Sequence, residues 1–274
     1  MTQDIANNVL ESPTAHSSEV VEHAAVAVHD TGIHIMPLAA ERLGDFHGIP
    51  INNTLITSWA VMLILITLAF FVGRSIKMVP GKVQLIFETI IDFVYEYMTE
   101  TFEDRKLARI FLPLVLTLFL FIFFANSLQF TPGIGSIGIW QDDTLVPLFR
   151  SVNTDLNVTL ALALISFIII ELTGMFKLGL FAYAGKFISF KSPLAFIVGI
   201  IELGSELVRI VSFSFRLFGN ILAGEVLIAV VAYFVPYVLP STLMGFELFI
   251  GFVQAGIFAL LTLLFIKLAV IEPH

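Results

Sequence analysis

Apolar residues fall along this chain in five long runs separated by short polar breaks. The first, about Leu55 to Val72, is stopped by Gly73, Arg74 and Lys77. The second runs from about Ile110 to Phe130, with Pro113 in its first turn. The third, about Asp155 to Phe176, is uninterrupted apart from Glu171. Each is close to the twenty or so residues a helix needs to cross a hydrocarbon core about 30 Å thick. The fourth run, Ser192 to Val235, has no Gly-Pro break, and as one helix it would be roughly 60–65 Å long. It must therefore lie steeply tilted or be broken within a bilayer. After a turn at Pro236 and Pro240, a last run from about Thr242 to Val270 predicts a helix of roughly 40 Å.

Between the first two runs the pattern changes. Pro80-Gly81 opens a segment, Lys82 to Phe102, in which Val83, Ile86, Ile90, Phe93, Val94 and Tyr97 recur at three- and four-residue spacing. Glu88, Asp92, Glu96 and Glu100 form a separate stripe, so this segment predicts a helix lying along the membrane surface. The elements together predict an all-α polytopic membrane protein. It has five membrane-embedded helices, the last two long and tilted, plus one amphipathic surface helix. Residues 1–50 are polar, acidic and punctuated by Pro and Gly, and are expected to form an exposed N-terminal tail, with 51–274 as the membrane-embedded domain. A Gly-, Pro- and Asp-containing loop is expected up to about Thr154, and a basic loop at Lys177–Lys191.

Composition sharpens the class. Hydrophobic residues make up 58% of the 274 residues and charged ones 13%, about half the charged share of a soluble domain; mean hydropathy is +0.96. The net charge of −8 reflects acids gathered in the tail and near the membrane surfaces, and no basic cluster suggests nucleic acid. The absence of cysteine removes disulfides and thiolate metal sites. His16, His23, His29, His34 and His47 lack a fixed helical spacing, so no metal or cofactor site is expected. No basic segment followed by an apolar core opens the chain, so no cleavable signal peptide is expected.

Orientation follows from Lys and Arg. With the tail outside, the inner segments hold Arg74, Lys77, Lys82, Arg105, Lys106, Arg109, Lys177, Lys186, Lys191 and Lys267. The outer ones hold only Arg42 and Arg150. The N-terminus is expected outside and the C-terminus inside.

Set into the long fourth run are Glu202, Glu206, Arg209, Arg216, Asn220 and Glu225. Each charge costs several kcal/mol at the bilayer centre unless paired or watered. Glu202, Arg209 and Arg216 are seven apart and stack on one face with a drift of roughly 20° per step. Ser205, Ser212, Gly219 and Ala223 fall on or beside that stripe. The last helix carries Glu247, Gly251 and Gln254 at helical spacing. Antiparallel packing about the Pro turn would put Glu225 and Glu247 in the outward halves, Arg216 near mid-depth, and Glu202 and Glu206 in the inward half. A purely architectural alternative makes these charges register-fixing pairs, with Glu206 bonded to Arg209 three residues on. Six polar or ionisable residues graded along one helix point instead to an ion path. The two longest helices have no counterpart in the first half, which speaks against an inverted-repeat transporter. A free-standing proton channel or proton-coupled transporter would need a second counter-charge or a substrate pocket. A membrane enzyme would need a catalytic pattern such as His-Glu-x-x-His, and none occurs in the spans.

The run Arg216-Leu217-Phe218-Gly219-Asn220-Ile221-Leu222-Ala223-Gly224-Glu225 resembles the signature of subunit a of the F-type ATP synthase membrane sector. Glu202 fourteen residues upstream, Gln254-Ala255, and Asp155-Leu156-Asn157-Val158-Thr159 extend the likeness over about residues 50–274. The resemblance implies a non-catalytic stator in an energy-coupling membrane, most often a bacterial inner membrane. Its partners would be a rotating proteolipid c-ring, peripheral-stalk b subunits and membrane lipid. It implies an essential ring-facing Arg216 between two offset proton half-channels. Asn220, Glu225, Glu247 and Gln254 would line the outer one; Glu202, Ser205, Glu206, Arg209 and Ser212 the inner one. Family members often carry a proline after the basic residue at Arg209, and this chain has Ile210 there, which gives no reason for a kink. Many also have a histidine at one of the positions of Glu225 and Glu247. Here both are Glu, which would let the two share one proton and titrate as a unit.

Overall fold

The computed structural model describes residues 42–46, 49–74, 76–77, 81–130, 137–141, 144–179, 183 and 193–270. The tail histidines, Lys186 and Lys191 lie outside the described residues. Six long helices carry the fold: α1 (Asn53–Arg74), α2 (Lys82–Phe102), α3 (Arg105–Gln129), α4 (Leu156–Leu178), α5 (Pro193–Phe234) and α6 (Val238–Val270). All but α2 are long and apolar enough to cross a membrane, and the protein is an integral membrane protein of the expected class.

The boundaries follow local chemistry. Asp104 caps α3 by accepting from the Lys106 backbone N–H at 2.7 Å, and Asp155 caps α4 by accepting from that of Asn157 at 2.9 Å. The α3 cap moves that helix's start five residues upstream of the apolar run, so Pro113 stands in its third turn rather than its first. Pro240 is likewise not in the turn but within the first turn of α6, where its missing N–H is among those without an intrahelical acceptor. The link between α5 and α6 is therefore shorter than expected, and α6, at 33 residues, is about 50 Å long.

Two short hairpins depart from the expected irregular segments. Strand β1 (Arg42–Phe46) pairs antiparallel with β2 (Ile49–Asn52), which runs directly into α1. The end of the expected tail is thus ordered backbone. Strand β3 (Gly138–Gln141) pairs with β4 (Thr144–Pro147) within the loop before α4. A 3-10 turn at Val152–Thr154 then packs on α1, α3, α4 and α5.

Helix α6 is the centre of the bundle, packing on α3, α4 and α5. One core cluster joins Met98 and Phe102 of α2 to Val115, Ile170, Leu263 and Ile266. Another joins Leu118, Ile122, Leu162, Phe213, Leu217 and Phe258. Ala163, Ala255 and Ala259 within these clusters let the helices approach closely. Phe213 reaches across to Phe258 and Phe265, with ring centroids 5.0 and 5.7 Å away.

On α2 the sequence stripe of Ile86, Ile90, Phe93 and Tyr97 is exposed, whereas Met98 and Phe102 are the residues packed on α3 and α6. The helix therefore has an inner apolar face and an outer one. An outer apolar face beside a row of acids suits a helix half-sunk in the membrane surface.

Helix α5 is unbroken over 42 residues, about 63 Å. Ile210, where a proline kink was not expected, is buried in a continuous helix. At twice the thickness of a hydrocarbon core, α5 must be strongly tilted to remain in it.

Candidate functional site

The polar residues of α5 divide by side. Ile210, Phe213, Ser214, Leu217 and Ile221 are buried against the bundle, and Ser214 shares a 3.1 Å hydroxyl contact with Thr159 of α4. The opposite side, with Gly204, Ser205, Val208, Val211, Phe215, Arg216 and Ala223, is exposed. Gly204 and Gly219 have nothing within 4 Å of where a Cβ would stand. Arg216 thus lies on a long stripe that no other described part of the chain covers. Its Nη2 donates to Ser212 Oγ at 3.3 Å, and it makes no ion pair among the described residues.

Arg209 does not share that exposure. Its guanidinium packs against α6, 3.9 Å from the Phe265 ring centroid, and pairs with Glu206. Glu206 is buried. The structure therefore realises the Glu206–Arg209 pair that the three-residue spacing allowed. Nearby, Tyr183 packs against Gly174 of α4 and hydrogen-bonds with Glu171. Burial, reinforced by the negative charge of Glu171, pushes the Tyr183 phenol well above its ordinary value, so it stays a neutral donor. Glu202 and Ser205 lie farther along α5, where Ser205 Oγ donates to the Glu202 carbonyl at 2.7 Å.

On the other side of Arg216, Glu225 and Asn220 are half-buried, and Glu247 and Gln254 of α6 are buried. The Glu247 carboxyl lies directly over Gly224, where any Cβ would collide with it. Only glycine admits that contact, which sets Glu247 beside the residue preceding Glu225. Gly251, one turn on, similarly accommodates Asn126 of α3. Counted along the axis from Arg216, Glu225 is nine residues or roughly 14 Å away, and Glu202 is fourteen residues or roughly 21 Å away on the other side.

The most informative partner of Glu225 was not expected. Arg150, read from sequence as a surface charge in an outer loop, is 4% exposed. Its Nε stands 3.8 Å from Glu225 Oε1. Around it the start of α1 and the turn before α4 supply further buried polar residues: Asn53, Thr54, Thr57, Ser151, Asn153 and Asp155. Thr54 Oγ1 donates to Asp155 Oδ2 at 3.2 Å, and Asn153 Nδ2 donates to Asn126 Oδ1. Glu225 Oε2, Glu247 Oε2, Gln254 Nε2, Asn153 Oδ1 and Ser151 Oγ are buried with no hydrogen-bond partner among the described residues. Buried polar atoms are rarely left so, and this group suits a hydrated path. No cluster among the described residues has the side chains to hold a metal ion.

A family model described as ATP synthase A chain matches residues 55–267. The chain is 32% identical to the ATP synthase subunit a of Moorella thermoacetica over 85% of its own length and 96% of that protein's. It is 34% identical to that of Mycobacterium bovis, over 85% and 95% of the two chains. A Propionigenium modestum protein named ATP synthase subunit a, sodium ion specific, is 32% identical over 86% and 80%.

Proposed function

We propose, since this chain belongs to the ATP synthase A chain family, that it is the ion-conducting stator subunit of a rotary ATP synthase. Two offset proton half-channels serve the carboxylates of a rotating proteolipid ring, and Arg216 separates them. The observation that carries this reading is the uncovered stripe of α5. A guanidinium in mid-helix, flanked by Gly204, Ser205, Gly219 and Ala223 and uncovered among the described residues, calls for an occupant from outside. A self-contained channel or transporter would bury that charge among its own helices.

The mechanism follows from charge and hydration. A ring carboxylate is carried through lipid in its neutral form, because an ion there is costly. Facing Arg216 it is stabilised as the anion and gives up its proton. Arginine stays charged at any relevant pH, so it also blocks a direct proton leak between the two paths. Asn220, Glu225, Glu247 and Gln254 line the outer half-channel, in line with the buried atoms of Glu225, Glu247 and Gln254 that lack a hydrogen-bond partner among the described residues. Glu202, Ser205 and Ser212 line the inner one, with the Glu206–Arg209 pair holding its wall against Phe265. Each proton crossing 100 mV contributes about 2.3 kcal/mol. The chain itself holds no catalytic site. Its partners are the c-ring, peripheral-stalk b subunits and lipid, with the N-terminus outside and the C-terminus in the cytoplasm of a bacterial inner membrane.

The chain has no cysteine, so the stripe can be tested by single-cysteine cross-linking in the assembled complex. Gly219→Cys and Ala223→Cys should cross-link to cysteines on the ring's outer face, while Ile221→Cys, on the buried side, should not. Cross-links from Ile221→Cys alone would reject the assignment. ATP-driven acidification in Na⁺-free medium tests the proton as the ion carried.

A further inference from the structure

We infer that Arg150 is a positioning residue that holds Glu225 in its working state in the outer half-channel. The inference rests on the functional reading above and adds to it a residue outside the membrane-spanning helices. The Arg150 side chain is 2% exposed and that of Glu225 14%, so this is a buried pair, not a surface contact. Breaking such a pair from one side leaves an uncompensated charge.

The cation is fixed from outside α5. The Arg150 backbone N–H donates to Thr57 Oγ1 at 3.1 Å, and that hydroxyl donates to the Asn53 carbonyl at 2.9 Å. Residue 150 is thereby tied to the first turn of α1. The 3-10 turn that follows is packed on four helices. The backbone that carries the guanidinium is consequently held by contacts that do not depend on Glu225.

The contact of 3.8 Å is longer than an N–H···O hydrogen bond but within ion-pair range. Arg150 therefore acts on Glu225 by charge, while the buried Glu225 Oε2 has no hydrogen-bond partner among the described residues. Asp155 is committed to Thr54 and to its own helix cap. Glu247 comes from α6 over Gly224 and would disfavour a second negative charge on its neighbour. The Arg150 cation beside Glu225 favours its ionised form against that repulsion. It also shortens the time a proton rests on Glu225 before passing inward, since a neighbouring cation favours the ionised carboxylate.

The test uses the assembled complex in inverted vesicles, with ATP-driven acidification normalised to assembled subunit. Arg150→Gln should cut the rate about tenfold, the weight of one pK unit, and move the pH profile upward. Arg150→Lys should recover more than half of the wild-type rate with the wild-type profile. In the double variant Arg150→Gln/Glu225→Gln the loss should be no greater than that of the worse single variant. Equal losses for Gln and Lys with an unmoved profile, or multiplicative losses in the double variant, would overturn the inference. If Arg150→Gln assembles poorly, Arg150→Lys decides by the same criterion. Failure of the functional reading itself would show separately, as normal pumping by Arg216→Ala.

Discussion

Replacing Glu206 by Gln separates an architectural acid from a path-lining one. The Glu206 side chain is 5% exposed and that of Arg209 18%. Removing one partner of a buried pair costs about 3–5 kcal/mol. One contribution reduces this. Glutamine can still accept a hydrogen bond, worth about 1 kcal/mol, and Arg209 keeps its contact with the Phe265 ring, worth about 1 kcal/mol where partly desolvated. Since the ring contact is present before and after, only the first is a true offset, leaving a loss of about 2–4 kcal/mol. For a chain of this size that is a fall of roughly 5–10 °C in the melting point. The assay is thermal loss of the subunit from purified complex, alongside pumping per assembled complex. The expected result is less assembled protein and a lower melting point, with pumping per complex within about twofold of wild type, far less than the tenfold that 1.4 kcal/mol in a barrier would cause. Arg209→Gln in the same background should restore part of the stability, because it removes the orphaned charge. Wild-type melting with transport lost would refute the pairing and return Glu206 to the conducting wall.

Three other outcomes follow from the geometry. Gly224→Ala should displace the Glu247 carboxyl that occupies the place of its Cβ, and should slow pumping about tenfold or more, since positional errors of about 1 Å can cost 10²-fold; an unaffected rate would show that Glu247 is not held there. Glu225→Gln and Glu247→Gln should each slow transport strongly and shift its pH dependence, with a non-additive double variant; additive losses with a fixed profile would discard a shared proton relay. Glu202→Gln, at a half-buried position of α5, should cause a partial loss of coupling, measured as the acidification gained per ATP hydrolysed, and unchanged coupling would remove it from the inner path.

The helices were legible because long apolar runs admit one solution in a bilayer, and their ends lay where Asp104, Asp155 and the prolines allowed. Pro113 and Pro240 were misplaced because both helices begin upstream of the starts read from the apolar runs, α3 at Arg105 and α6 at Val238. The two hairpins gave no readable signal, since strands of four or five residues leave too short a pattern. Arg216 was legible because it stands alone in mid-run. Its separation from Arg209 was not, because spacing of seven places both on one face and only a packed neighbour, Phe265, distinguishes them. Arg150 was the largest omission. It lies in a loop 75 positions before Glu225, and no local pattern reports that a loop charge is buried. The asparagines and threonines around it were hidden for the same reason, although Asp155 at the head of α4 marked the neighbourhood.

The central claim is that Arg216, open on the uncovered face of α5, meets the ring carboxylate. ATP-driven proton pumping by Arg216→Ala in an otherwise intact complex tests it most directly, with ATP hydrolysis by the soluble sector followed in the same vesicles. The account predicts that pumping is abolished while hydrolysis persists, and that Arg216→Lys also fails to sustain coupled transport because an ammonium lacks the planar fork and is more readily neutralised. Wild-type pumping by the alanine variant would contradict it.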